Sequence, residues 1–531
     1  MILLPLLLAV ALGCGIFLGR YITNKNLTEK EEKLRTVLSL IRSDYVDVVD
    51  MDSLIEATFP DMLSYLDPHS AYIPAEELQT VNDDLLGSFS GVGISFQIIN
   101  DTVQVIEVIP GGPAEKVGIL AGDRILKADT TSLIGKDITT ETVFKNLRGV
   151  KGSKVELEIK RYGQKKPVVY DVVRGDIPVN SVDVAYMLNK NTGYVKVTKF
   201  SRNTYNEFFN ALNNLKREGA ESFVIDLRGN SGGFMDQAIY MANEFLPAGR
   251  MIVYTKGRKP ENEYMALSDG TGKFQDFPIV VLTNESSASA SEIFAGAIQD
   301  NDRGLIIGRR TFGKGLVQNQ TQLPDSSAIR LTVARYYTPS GRSIQKEYQR
   351  GEIKKYDLDL VDRYAHGEFY NADSIKLDKS KIFETVNGRT VYGGGGIMPD
   401  YFIPEDTTGI TSYYLAVANQ GLIQKYASKV ADKYRNAMKG SKDIDKFNKI
   451  MPDNQMLLED FVEFAVDNGV PARWYYINQS RDLLLSQVKA VIARDVLGYS
   501  EFIEILNKDD NVVKEAILKI STGKSPVNIV K

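Results

Sequence analysis

The spacing of apolar residues changes several times along this chain, and each change marks a new kind of element. Residues 2–19, ILLPLLLAVALGCGIFLG, form an uncharged apolar run of 18 residues, close to the minimum that spans a bilayer. Leu34, Val37, Leu38 and Ile41, then Leu54, Ile55, Phe59, Met62 and Leu63, recur at helical spacing and predict a small helical region over 28–83, with the turn LDPHSAYIP near its end. From residue 84 to 175 the period falls to two, and VQVIEVI and KVELEIKRY read as strands separated by GGP and GD turns. Over 176–405 strand patterns (GYVKVTKF, ESFVIDL, FPIVVLTN, LIIG, AIRLTVARYYT) alternate with helical ones (TYNEFFNALNNLKREG, SEIFAGAIQD), which predicts an α/β domain with its reactive groups at strand ends. Residues 406–531 read as mostly helical and carry Trp474.

Composition narrows the chemistry. A chain of 531 residues needs more than one core. A net charge of -4 gives no electrostatic footprint for a polyanion, so nucleic acid is not an expected partner. Cys14 is the single cysteine and His69 and His366 the only histidines, too few for a thiolate zinc site, a histidine-rich metal site or a Ser-His-Asp triad. No metal or cofactor is expected, and a hydrolase built from this chain would use a base other than histidine. The 1–20 segment reads as a signal anchor or signal peptide. No Lys or Arg precedes it while Arg20 and Lys25 follow, a bias that would leave the body in the cytoplasm; a translation start a few residues upstream removes that conflict. Cys14 faintly suggests lipidation, but Ala11 stands where a large aliphatic residue belongs.

Three stretches could do chemistry. GRRTFGKGLVQ (308–318) begins like a nucleotide-binding loop, yet Gly315 follows Lys314 where a magnesium-binding hydroxyl is required. Lysine shifts its pKa readily when desolvated, so Lys314 can instead serve as a base; Arg309 and Arg310 beside it equally fit a basic surface loop. TNESSASASEIFAGAIQD places Ser286, Ser287, Ser289 and Ser291 where a buried strand turns into a helix. There a hydroxyl meets the unpaired N–H groups of a first helical turn, although Ser289 with Glu292 three residues on also fits a capping box. DLRGNSGG (226–233) leaves another buried strand, and its paired glycines can turn a backbone N–H into a site. They serve equally well as a plain turn, and Asp226 with Arg228 as a structural ion pair.

In order, LDPHSAY, GVGISF, PAEKVGILAGDRIL, DLRGNSGG, SSASASEIFAGAIQD, GRRTFGKGLVQ, YYTPSGRSIQ and GGGGIMPD resemble the carboxyl-terminal processing protease family over roughly residues 35–403. The resemblance implies a ClpP/crotonase-like α/β serine protease domain with an inserted PDZ domain, flanked by helical N-terminal and C-terminal regions. It implies Ser289 as nucleophile, Lys314 as general base and Gln318 as the residue orienting the lysine. It further implies an oxyanion hole from the N–H of Ala290 and of Gly232 or Gly233, with the choice of glycine open. Gly91, Val92, Gly93, Ile94, Ser95 and Phe96 would form the PDZ carboxylate loop and frame a pocket for apolar protein tails. The implied location is the bacterial cell envelope, anchored in the membrane with the body outside the cytoplasm. Residues 406–531 lie beyond the resemblance, and their role, as an assembly surface (a homo-oligomer), a substrate platform or an adaptor site, stays open in the sequence. Two rivals are a P-loop protein, which lacks its hydroxyl here, and a catalytically silent PDZ scaffold. RGD at 174–176 carries no adhesion role, and His69 is expected to pack rather than to ligate.

Overall fold

The computed structural model describes residues 28–438 and 440–523, apart from the side chain of Asp84. The apolar run expected as an anchor lies outside the described residues; among those described, no helix is long and apolar enough to cross a membrane. The chain divides after Asp67 into two units. The first holds the helices Glu29–Asp44 and Met51–Ser64. Thr28 and Glu31 cap one with a reciprocal capping box, and Asp50 caps the other through the Asp52 and Ser53 N–H groups.

The second unit is built around two sheets. One has six strands in the order Val184–Met187, Thr192–Lys196, Ser222–Asp226, Ile279–Thr283, Leu305–Gly308, Tyr401–Phe402, all parallel except the first pair. Its central strands SFVID and IVVLT are buried at every position, as parallel strands covered on both faces must be. Helices Thr204–Arg217, Met235–Asn243 and Ala290–Asp300 pack on one face around Phe208, Phe245 and Phe294. The other face is covered from the far end of the chain, where Val512, Val513 and Ala516 of helix Asn511–Ser521 pack on Val224, Val280, Leu282 and Ile307. The second sheet is antiparallel and joins Ala71–Ile73, Met251–Gly257, Tyr264–Leu267, Leu316–Gln322 and Ala328–Tyr337.

A β-rich module leaves this body through one pair of strands, Ser88–Gly91 against Gly175–Pro178. Its sheet runs Ile94–Ile99, Thr102–Val108, Arg124–Ala128, Lys154–Lys160, Val168–Val173, with helix Thr140–Leu147 beside it. The RGD triplet is spent on this junction. Gly175 and Asp176 are strand residues, and Arg174 donates to the carbonyls of Asn146, Leu147 and Lys154.

Packing departs from the sequence boundaries at two places. Residue 84, expected to start the module, falls inside helix Ala75–Leu86, and strand Ala71–Ile73 pairs with Ala328–Arg330, so residues 68–86 belong with the main body. At the other end, helix Asn511–Ser521 belongs to the parallel sheet's own core, and helix Tyr499–Asn507 joins that core through Tyr499 and Ile503 to the cluster of helices from Ser412 to Val496, which takes its Phe502, Ile505 and Leu506. Strand pairing and sheet coverage between distant segments draw these borders, and local periodicity does not record either.

Candidate active site

Strand Ile279–Thr283 ends in a loop that climbs into helix Ala290–Asp300, and Ser289 sits at the bend with φ 55 and ψ -113. A non-glycine residue rarely adopts this conformation, and an elbow of this kind lifts a side chain clear of the backbone. The four serines are sorted by their partners. Ser286 is exposed, with its N–H on the Asn284 side chain. Ser287 and Ser291 are fully buried and donate their hydroxyls to the carbonyls of Leu227 (2.8 Å) and Asn230 (2.9 Å), stapling this segment to DLRGNSGG. Ser289 alone of the four lines a cavity of about 640 Å³.

That cavity also receives Lys314, Gln318, Gly232 and Gly233, so residues from three separate stretches meet at one place. Asn230 shapes the glycine turn: its amide donates to the Val197 carbonyl (2.9 Å) and its Oδ1 accepts from the Gly232 N–H (2.8 Å). The Gly232 N–H is thereby committed, whereas those of Gly233 and Ala290 have no acceptor among the described residues. Both glycines are sterically required. A Cβ on Gly232 would lie 2.7 Å from the Ser289 Cβ, and one on Gly233 would lie 2.1 Å from the Phe200 carbonyl oxygen.

Two buried side chains bind the Ser289 elbow to the Lys314 segment. The Glu292 carboxylate accepts from the N–H of Ser289 (2.9 Å), Gly313 (2.8 Å) and Lys314 (2.8 Å), and from the Thr311 hydroxyl. From the other side, the Tyr336 hydroxyl lies on the carbonyls of both Ser289 (3.0 Å) and Lys314. Burial pushes the Glu292 carboxyl up, the four donors oppose this, and the result is about 7. Sequence reasoning saw Glu292 only as one half of a capping box. The Ser289 N–H contact of that box is present, but the partners at positions 311, 313 and 314 leave no local signal. Tyr336 opens the motif YYTPSGRSIQ, but nothing in the sequence marks its contacts with Ser289 and Lys314.

Arg309 and Arg310 do not form a loose basic loop, since they pair with Glu285 (2.8 Å) and Glu368 (2.6 Å). The motifs YYTPSGRSIQ and GGGGIMPD, to which sequence analysis gave no role, fix the lysine segment. The Gln345 side chain accepts from the Gly315 N–H (2.8 Å), the Lys346 N–H donates to the Gly313 carbonyl (2.9 Å), and the Ile397 N–H donates to the Thr311 hydroxyl (2.6 Å). His69 packs: its Nε2 is 2.9 Å from the Tyr356 hydroxyl. Gln318 follows a β-bulge, and its amide reaches the Thr332 hydroxyl at 3.3 Å. Asp226 and Arg228 do form an ion pair (2.6 Å); burial works against the Asp226 charge, but Arg228 and Lys196 outweigh it and hold the carboxyl below its ordinary range.

A second cavity, about 1110 Å³, opens beside the β-rich module and is lined by Ile94, Ser95 and Phe96. Gly91, Val92 and Gly93, expected to frame the pocket with them, are not in its lining. Val92, expected in the pocket wall, turns into the module core at 2% exposure: it lies in the link between strands Ser88–Gly91 and Ile94–Ile99, where its carbonyl is held by the Ala114 N–H (2.8 Å). Phe96 meets Phe144 of helix Thr140–Leu147 edge to face, with centroids 5.4 Å apart.

Comparison with known proteins agrees with this architecture. Peptidase family S41 matches residues 191–354, a PDZ domain 90–172, and a family described only as of unknown function 413–498. A carboxy-terminal-processing protease of Bartonella bacilliformis is 38% identical over 338 residues, covering 62% of this chain and 76% of its own. The carboxy-terminal processing protease CtpA of Bacillus subtilis is 34% identical over 345 residues, covering 65% and 72%. Among solved structures, a photosystem II D1 C-terminal processing protease aligns at 29% identity with a TM-score of 0.34, over 60% of this chain and 91% of that one. The chain belongs to the carboxy-terminal processing protease family: it is a serine peptidase carrying a PDZ domain.

Proposed function

We propose that the chain cleaves proteins selected by their carboxyl-terminal tails, with Ser289 as nucleophile and Lys314 as base. The supporting observation is the single cavity in which Ser289, Lys314 and Gln318 meet the glycine turn, with Glu292 and Tyr336 tying both reactive segments together. The Ser289 Oγ attacks a peptide carbonyl carbon while neutral Lys314 takes its proton. The tetrahedral intermediate collapses, the C–N bond breaks, and Lys314 returns the proton to the leaving amine. Water then hydrolyses the Ser289 ester by the same proton route. Developing negative charge on the carbonyl oxygen is met by the Ala290 and Gly233 N–H groups, the two left without acceptors. Gln318 orients Lys314 from the neighbouring strand.

The PDZ module selects the substrate. The edge of strand Ile94–Ile99 not paired with Thr102–Val108 accepts a peptide as an added strand, its carboxylate directed to Gly91–Gly93 and its last side chain set between Phe96 and Phe144. We place the enzyme in the cell envelope, held by residues 2–19 with its body outside the cytoplasm. Resistance to protease added to cells whose cytoplasmic membrane alone remains sealed would remove that placement if the same protease digests the enzyme after lysis.

The test uses the full chain and an unfolded protein ending in apolar residues, with products identified by mass. Ser289→Ala and Lys314→Ala are each expected to reduce cleavage by about 10⁴-fold or more with an unchanged melting curve. Amidating the substrate's terminus is expected to slow the wild type. Near-normal turnover by either variant refutes the dyad. Binding of tails without any cleavage by wild type would favour the scaffold alternative.

A further inference from the structure

The cavity beside strand Ile94–Ile99 is lined by three parts of the chain. One wall is the PDZ module; the facing one is drawn from Asn419, Gln420, Gly421, Gln424, Lys425, Lys442 and Tyr499 of the C-terminal helical region, with Val179, Asn180 and Asp183 of the main body between them. This second wall falls largely within the segment matched only by a family of unknown function. It is fixed to the module by Arg124 to Asp432 (2.8 Å), Ser428 to Gln104 (2.8 Å) and Arg494 to Gln97 (3.3 Å).

Resting on the tail-binding reading above, the position of this wall decides what it touches. A peptide added antiparallel to Ile94–Ile99 keeps its carboxylate at the Gly91–Gly93 end, and its upstream residues run toward Ile98 and Ile99. Six strand residues span about 20 Å, enough to align five or six residues of a tail. The helical wall is attached at Gln97, toward that far end. It therefore meets the residues upstream of the apolar terminus.

Charge gives the wall a preference. Lys425 and Lys442 line the cavity without a salt bridge among the described residues, and the Lys442 charge acts at longer range on Glu107. The cavity's own carboxylates are buried: burial raises Glu107, and burial with the nearby Glu207 and Glu107 carboxylates takes Asp183 to about 6. Arg148, also in the lining, stacks on Phe89 and Phe144 at 4.6 Å and leaves its Nε without a partner. We infer that the C-terminal helical region forms the second wall of the peptide groove and that Lys425 and Lys442 select tails with acidic residues just upstream of an apolar terminus.

The experiment measures peptide affinity to the full chain bearing Ser289→Ala, which prevents cleavage. Two fluorescent ten-residue peptides share three apolar terminal residues; one carries four Asp or Glu before them and the other four Ser. The acidic peptide is expected to bind about fivefold tighter at low salt, as two partly exposed ion pairs allow, with the difference shrinking as salt rises. Adding Lys425→Glu and Lys442→Glu is expected to reverse the preference, so that the Ser peptide binds tighter than the acidic one. Equal binding of both peptides, or a preference that survives the charge reversal, overturns the inference. If both peptides bind equally and amidation abolishes binding, the wall fails and the tail reading stands; if neither binds, both fail.

Discussion

At the scale of single residues, Glu292 carries the heaviest load. It is fully buried, faces four donors, and fixes the backbone of both Ser289 and Lys314. Protonation removes acceptor capacity from one oxygen and loosens that tie. Cleavage by the wild type is therefore expected to rise with pH through about 7, where Glu292 ionises. Glu292→Gln leaves at least one N–H without an acceptor, and a displacement on the order of 1 Å at the reacting atoms costs about 10²-fold in rate. A rate profile for Glu292→Gln that matches wild type below pH 8 would remove this role. Stability moves the opposite way. The folded-state pKa, about 7, lies above the ordinary 4.5, so the folded state binds the proton more tightly. This group's contribution is most favourable below pH 4.5 and is lost as pH rises toward 7, by about 3 kcal/mol in all. Urea unfolding at pH 5 and pH 8 checks it: the wild-type difference should shrink in Glu292→Gln. Gly233 is the second critical position, since any side chain there collides with the Phe200 carbonyl. Gly233→Ala is expected to lower kcat/KM by about 10²-fold or more, because the clash displaces the Gly233 N–H from the carbonyl oxygen it would meet.

At the scale of elements, much was legible and the remainder had a common cause. Strands SFVID and IVVLT and the helix after SSAS follow from apolar runs and small-residue turns. The choice among four serines did not, because Ser287 and Ser291 differ from Ser289 only through hydrogen bonds to Leu227 and Asn230, some sixty residues away. Likewise Glu292 shows its capping spacing, while the contacts to Gly313 and Lys314 span more than twenty residues. The last helix illustrates the same limit. Residues 406–531 read only as mostly helical, yet the apolar stripe of Asn511–Ser521 is the outer cover of the parallel sheet. Its N-cap, Asp510, accepts from the N–H of Val512 and Val513 and from Arg228 (2.7 Å), the residue paired with Asp226 at the start of the glycine turn. Val513→Asp is expected to destabilise the protein by about 3 kcal/mol or more by burying a carboxylate against Leu282 and Ile307. Asp510→Ala should cost about 1–2 kcal/mol through the lost cap. Chemical denaturation measures both; a loss below 1 kcal/mol for Val513→Asp would mean that the helix does not cover the sheet in solution.

At the scale of the whole molecule, the PDZ module is held at two points of different kinds. Both chain crossings pass through the strand pair Ser88–Gly91 and Gly175–Pro178, which makes a narrow stalk. A stalk of two strands leaves a rigid module free to swing. The second support is polar: Arg124 on Asp432, Gln104 with Ser428, and Gln97 with Arg494, on the surface of the helical region. Asp432 is 6% exposed, so a charge placed opposite it is poorly screened. Reversing that charge turns an attraction into a repulsion worth several times thermal energy, while the module's own core around Val103, Val105 and Leu157 is untouched. Arg124→Glu is therefore expected to release the module without unfolding it. Spin labels on cysteines introduced at the exposed positions Lys136 and Lys449, with Cys14 replaced by Ser, read the distance between module and helical region. A single narrow distribution in the parent should broaden in Arg124→Glu, and the groove wall carrying Lys425 should then cease to bias tail binding. A distribution that stays narrow would show that the stalk alone fixes the module, and the polar contacts would be incidental to its position.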